Sequence, residues 1–141
     1  MVFDTGSDSD RHALERLDRD MIGWLTTVTA DGQPQTFPIW FLWDGGEILV
    51  YSDRRAKRNE NLRHNPRVSL HLNDDGRGND IVLVEGEARV DDSTPRPEDN
   101  APYNAKYGDW IREMFSTAEE FTSVYNIPLR IRPTRARAFG A

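Results

Sequence analysis

Two glycine turns, Asp31-Gly32 and Asp44-Gly45-Gly46, bracket the run from Gln33 to Trp43. Asp-Gly between β-forming runs is a strong hairpin signal, because glycine adopts the positive φ that tight hairpins need. Upstream lies Ile22-Gly23-Trp24-Leu25-Thr26-Thr27-Val28-Thr29-Ala30, rich in β-branched and aromatic residues, and downstream lies Glu47 to Ser52. Strands joined by turns this short must run antiparallel. Pro38 sits inside the middle run and cannot donate to a ladder. That run is therefore read as an edge, a bulge, or a place where the backbone faces something other than a neighbouring strand.

The rest of the chain extends this meander. Ser9 or Asp8 is expected to cap a helix from about Asp10 to Asp20, with Leu14, Leu17 and Met21 on one face and residues 1–8 loose. A short helix follows Tyr51-Ser52 and stops at Asn65-Pro66, since the residue before proline avoids helical geometry. Arg67 to Leu72 alternates as a strand, and Ile81 to Val90 is a longer one with Gly86 as a bulge or bend. Tyr103 to Tyr125 reads as helical in pieces around Gly108, and Leu129 to Phe139 is a last strand. Many short antiparallel strands with few helices predict a mainly β, α+β fold. It is a small barrel of six to seven strands with peripheral helices, in a single domain over 1–141.

Residue usage narrows the chemistry. With no cysteine, disulfides, thiolate metal sites and thiol nucleophiles are excluded. His12, His64 and His71 stand at no metal-ligand spacing, so no metal site is expected. There is no nucleophile elbow and no glycine-rich phosphate loop. If the chain is an enzyme, its chemistry belongs to a cofactor and no side chain is assigned as catalytic. The net charge of −6 argues against nucleic-acid binding, which wants a broad basic face. No apolar run reaches the length of a membrane span, and Met1-Val2-Phe3-Asp4 does not read as a signal peptide, so a cytoplasmic protein is expected.

Three local features carry functional readings beside plainer ones. Between Arg54 and Arg63 an acidic protein gathers five basic residues against one acid, at a helix start. Free backbone N–H groups and cations there favour phosphate, although many such runs are only solvated. Phe37, Trp40, Phe41, Trp43 and the facing Trp24 fill a barrel core, but they exceed what one face can bury. The surplus could form a ring-binding wall or a dimer interface. Arg130, Arg132, Arg135 and Arg137 on the last strand could protect an edge or pair with acidic groups of a partner chain.

Taken together, Trp24-Leu25-Thr26-Thr27-Val28, Asp31-Gly32-Gln33-Pro34, Pro38-Ile39-Trp40-Phe41, Tyr51-Ser52, Lys57-Arg58, Asn61-Leu62 and Asn65-Pro66-Arg67-Val68-Ser69-Leu70 resemble the pyridoxamine-phosphate-oxidase-like split β-barrel family. Ile131-Arg132-Pro133-Thr134-Arg135 fits the same resemblance. It implies a homodimer with cofactor sites at the subunit interface, holding FMN, the deazaflavin coenzyme F-420 or, in some members, haem. On this chain it implies that Pro38, Ile39 and Trp40 flank the ring. Ser52, Lys57 and Arg58 would hold the phosphate, with Tyr51, Arg55 and Asn61 nearby.

Two departures redirect the expected activity. The oxidases proper carry Arg-x-x-x-x-Lys on the second strand, where this chain has Phe37-Pro38-Ile39-Trp40-Phe41-Leu42. They also carry Arg-Gln-Val where this chain reads Asp80-Ile81-Val82. Lys57-Arg58 reverses the usual Arg-Lys order of the family but keeps both charges. The resemblance therefore points to the F-420-dependent reductase branch, passing hydride between the deazaflavin and a small organic acceptor. The alternatives are an FMN-binding reductase or oxidase, and a flavin- or haem-binding module without turnover.

Overall fold

The computed structural model describes residues 2–140. In chain order the elements are α1 (Asp8–Arg19), β1 (Gly23–Val28), β2 (Pro34–Ile39), β3 (Leu42–Asp44), β4 (Glu47–Asp53), α2 (Lys57–His64), β5 (Arg67–Leu72), β6 (Ile81–Val90), α3 (Ala101–Met114), α4 (Ala118–Val124) and β7 (Tyr125–Phe139). A 3₁₀ turn at Pro97–Asp99 precedes α3. The strands form one antiparallel sheet in the order β2-β1-β5-β6-β7-β4-β3. Its two edge strands, β2 and β3, are consecutive in the chain and separated only by Trp40 and Phe41. Two residues span so little that the sheet must curl until its edges nearly meet. The result is a barrel left open at one seam, the split barrel expected from the sequence.

The run Gln33 to Trp43, expected as one strand, is thus two. The break is imposed by α3. The Phe41 N–H donates to the Tyr107 hydroxyl at 2.9 Å, that hydroxyl lies 2.8 Å from the Met21 carbonyl oxygen, and Lys106 Nζ donates to the Phe41 carbonyl at 2.8 Å. Side chains satisfy the backbone groups that a continuing ladder would have used.

Alternation along β4 divides the apolar residues between two cores. Ile48 and Val50 enter the barrel interior with Leu25, Phe41, Leu70, Val84 and Ile131. Leu49 and Tyr51 face outward, beneath Tyr103, Tyr107 and Phe121 of α3 and α4. The second core makes the helical layer the roof over the open seam.

Three details differ from expectation and one agrees. The N-terminal segment is not loose: Phe3 is buried, its ring edge-on to Trp43 at 6.0 Å, and Ser7 rather than Ser9 or Asp8 caps α1. The α3 helix runs through Gly108 and ends before Thr117, whose hydroxyl caps α4. Gly86 does mark a register shift between β6 and β7, and a Cβ there would lie 2.5 Å from the Arg132 carbonyl oxygen. Finally, β7 is no edge. It lies between β6 and β4, and three of its four arginines pair within the chain: Arg130 with Asp44 at 2.9 Å, Arg132 with Glu87 at 3.5 Å and Arg135 with Glu85 at 4.0 Å. Arg132 and Arg135 face those acids directly across the β6–β7 ladder, so opposite charges there account for part of the alternation.

Candidate functional site

A cavity of about 720 Å³ occupies the seam between β2 and β4. Thr27, Gln35 and Phe37 to Trp40 form one wall, the end of β4 and the start of α2 form the head, and α3 and α4 supply an aromatic roof. Ligand pockets commonly have this size and this mostly apolar lining with a few polar groups.

The head comes from the chain's change of direction. At Asp53 the ladder with β7 shifts register, and the chain then turns into α2. Ala56 stands at the helix N-cap and offers no side-chain acceptor, so the first N–H groups of α2 are left uncapped. Arg58 folds back over the head. Its Nη1 lies 3.4 Å from the Ser52 hydroxyl, and its guanidinium sits 5.7 Å from the Phe37 ring centroid. Its Nε is buried with no hydrogen-bond partner. No carboxylate among the described residues forms an ion pair with it, and burial lowers its pKa from the ordinary arginine value. A half-buried guanidinium with an unpartnered donor suits an anion.

The other cations are already engaged. Arg55 is clasped by Asp53, with Nε to Oδ1 at 3.2 Å and Nη2 to Oδ2 at 3.1 Å. The Arg55 backbone N–H also donates to Asp53 Oδ1 at 2.9 Å. These bonds hold the Asp53 carboxyl below its ordinary range. Lys57 is exposed and lies 3.7 Å from Glu60.

Seven of the nine expected site residues line the cavity: Pro38, Ile39, Trp40, Tyr51, Arg55, Lys57 and Arg58. Ser52 and Asn61 lie behind the wall, buried. Asn61 Nδ2 donates to Thr27 Oγ1 and Gln35 Oε1, both at 2.9 Å, and so clamps α2 to the β1–β2 hairpin. Tyr51 presents only its ring, because its hydroxyl donates to the Pro95 carbonyl at 2.5 Å and accepts from Asn100 at 3.0 Å. The Trp40 indole stacks on Tyr107 at 4.8 Å, within 4° of parallel, which takes up one of its faces. Arg54 and Arg63 are outside the wall.

Sequence reasoning missed Asp53, although it directly precedes the basic stretch, and it missed the roof. Tyr103, Phe115, Phe121 and Tyr125 form one packed cluster with Trp40, Phe121 lying 5.8 Å from Trp40 and 4.9 Å from Tyr125. The density of aromatics between Tyr103 and Tyr125 was the available signal. Phe37 and Met114, 64% and 65% exposed, stand at the cavity mouth.

Comparison with known proteins places this geometry in context. The family model described as pyridoxamine 5'-phosphate oxidase matches residues 9–137. An F-420 reductase structure is 25% identical, covering 87% of this chain and 94% of its own, with a TM-score of 0.64. The haem storage protein of Vibrio cholerae superposes at 0.66 with 16% identity, covering 95% of this chain and 96% of its own. An FAD-binding protein of Mesorhizobium loti superposes at 0.58 with 20% identity, covering 89% and 90%.

Proposed function

The chain belongs to the pyridoxamine 5'-phosphate oxidase family, and from that premise we propose that it is an oxidoreductase using the deazaflavin coenzyme F-420 to exchange hydride with a small organic acceptor. The observation that carries this reading is the half-buried guanidinium of Arg58, in no ion pair among the described residues and with an unpartnered Nε, at the head of a cavity walled mainly by apolar and aromatic groups. The residues present fit a planar ring carrying a phosphate-bearing chain. Pro38 and Ile39 offer a flat apolar wall, the aromatic roof excludes water, and Arg58 with Lys57 and the uncapped start of α2 receives the phosphate. The coenzyme, when bound, supplies the hydride chemistry, and the protein supplies position and dryness.

Support for F-420 over FMN comes from the cations. β2, reading PQTFPI, carries none, and the head commits only one unpaired buried cation. A phosphodiester with one charge suits that supply better than a terminal dianion. The FMN reading has the FAD-binding and oxidase-family resemblances on its side. A haem-binding reading has less support, since no histidine among the described residues lines the cavity. Parallel fluorescence titration with F-420 and FMN tests the proposal. F-420 is expected to bind more tightly, with the difference shrinking as salt rises, because exposed contacts are screened. Equal or tighter FMN binding at low salt moves the protein to the flavin alternative.

A further inference from the structure

Asp53 is the only acid on the cavity wall among the described residues, and it stands at the end where an anion would bind. Its carboxylate does two things. It occupies the fork of Arg55, taking Nε and Nη2 on its two oxygens, so that the bidentate geometry that would grip a phosphate is spent within the chain. It also sets a negative charge close enough to act on Arg58. Asp53 is held in place from both sides. Its carboxylate accepts the Arg55 N–H, and its carbonyl accepts the Ala56 N–H at 2.9 Å and Asn59 Nδ2 at 2.8 Å. Its side chain is 22% exposed against 70% for Arg55, so the acid is the fixed member of the pair and the cation the movable one.

Building on the reading that the cavity takes a ring with a phosphate-bearing chain, we propose that Asp53 is a specificity-determining residue that discriminates against a terminal, dianionic phosphate. Its one negative charge cancels that of Arg55, so the head keeps one fewer free cation. A singly charged phosphodiester still finds Arg58, Lys57 and the start of α2. A phosphate monoester carries a second charge, which meets the Asp53 carboxylate instead of the Arg55 guanidinium. A neutral chain end senses neither. The site thus selects for charge at the chain end while the ring wall stays indifferent to it.

FMN and riboflavin differ only in the terminal phosphate, so the ratio of their affinities reads the head alone. Both are titrated against the wild-type protein, Asp53→Asn, Arg55→Ala and the double variant at low salt. Asparagine keeps the acceptor for the Arg55 N–H while removing the charge. The expected result is that Asp53→Asn tightens FMN by roughly tenfold, on the scale of one charge interaction near a protein surface. Riboflavin is expected to stay within about twofold, which also shows that the variant is folded. Arg55→Ala alone weakens FMN, because it uncovers the Asp53 carboxylate that Arg55 neutralises. In the double variant most of the gain disappears. An unchanged FMN-to-riboflavin ratio in Asp53→Asn overturns the inference and leaves the cofactor reading intact. Failure of the wild-type protein to bind F-420, FMN or riboflavin overturns that reading and the inference with it.

Discussion

At the scale of single residues, Arg58 and Lys57 are neighbours in sequence with unequal roles. Lys57 is 67% exposed at its side chain and shares its charge with Glu60. Arg58 is half-buried, with its Nε unpartnered. Exposed pairs contribute little, whereas a desolvated charge–phosphate contact contributes about 1.5–3 kcal/mol. Replacing both with alanine should therefore weaken cofactor binding by about 2–5 kcal/mol, with Arg58→Ala accounting for most of it. Stability should change little, because Lys57 makes only an exposed pair and Arg58 forms no ion pair among the described residues. Calorimetric titration beside thermal unfolding checks both. Equal losses from Lys57→Ala and Arg58→Ala would show that the head is only a diffuse positive field. This head was legible in the sequence because its parts are consecutive, a strand end running into a helix start. The Asn61 clamp and the Asp53–Arg55 pair were not, since side-chain direction decides which polar group meets ligand and which meets its neighbour.

At the scale of elements, the strands were legible because period-two alternation and glycine turns are local signals. The break at Trp40 and Phe41 was not, because its cause lies on α3, far along the chain. Phe3 was invisible for the same reason: its burial depends on Trp43, not on its own neighbours. The α3 contacts make two predictions. Tyr107→Phe deletes the hydroxyl that accepts the Phe41 N–H and leaves buried backbone groups unpaired, which should cost about 1–3 kcal/mol in denaturant unfolding. A loss indistinguishable from zero would mean the corner holds itself. Lys106, its ammonium 4.0 Å from the Phe41 ring centroid, has its pKa lowered by burial to about 8, with Asp18 and Asp20 opposing the shift. The folded state therefore releases this proton before the unfolded state does, and between pH 8 and the ordinary lysine value the unfolded chain binds more protons. Stability should rise with pH through that window, by up to about 1 kcal/mol after solvent screening, and the rise should vanish in Lys106→Met. Denaturant midpoints at pH 7.5 and 9.5 measure it, and a wild-type slope matching that of the variant refutes it.

For the whole molecule, the decisive surface is the outer face of the sheet. Cross-strand register places Pro38 opposite Trp24, Trp24 opposite His71 and His71 opposite Leu83, so these residues form one row across β2, β1, β5 and β6. Residues directly opposite share a face, and this one is turned away from the barrel interior that holds Leu25 and Leu70. Trp24 and His71 stack within 12° of parallel. Phe139, opposite Ile81, is 49% exposed nearby. An apolar row beside an unpaired edge strand is what a second copy of the chain would cover, and a two-fold interface requires only one such self-complementary patch. It also adjoins the cavity, because Pro38 belongs to both. We therefore expect a homodimer whose interface borders the cofactor site. Light scattering at micromolar concentration should give twice the chain mass of 16.2 kDa. Leu83→Arg, which sets a charge at the β6 end of the row without touching the cavity wall, should give a folded monomer. If the partner closes the site, that monomer should also bind F-420 at least tenfold more weakly, a loss of about 1.4 kcal/mol or more. A wild-type monomer refutes the assembly. A dimer-breaking Leu83→Arg with undiminished affinity keeps the assembly and makes each cavity self-sufficient.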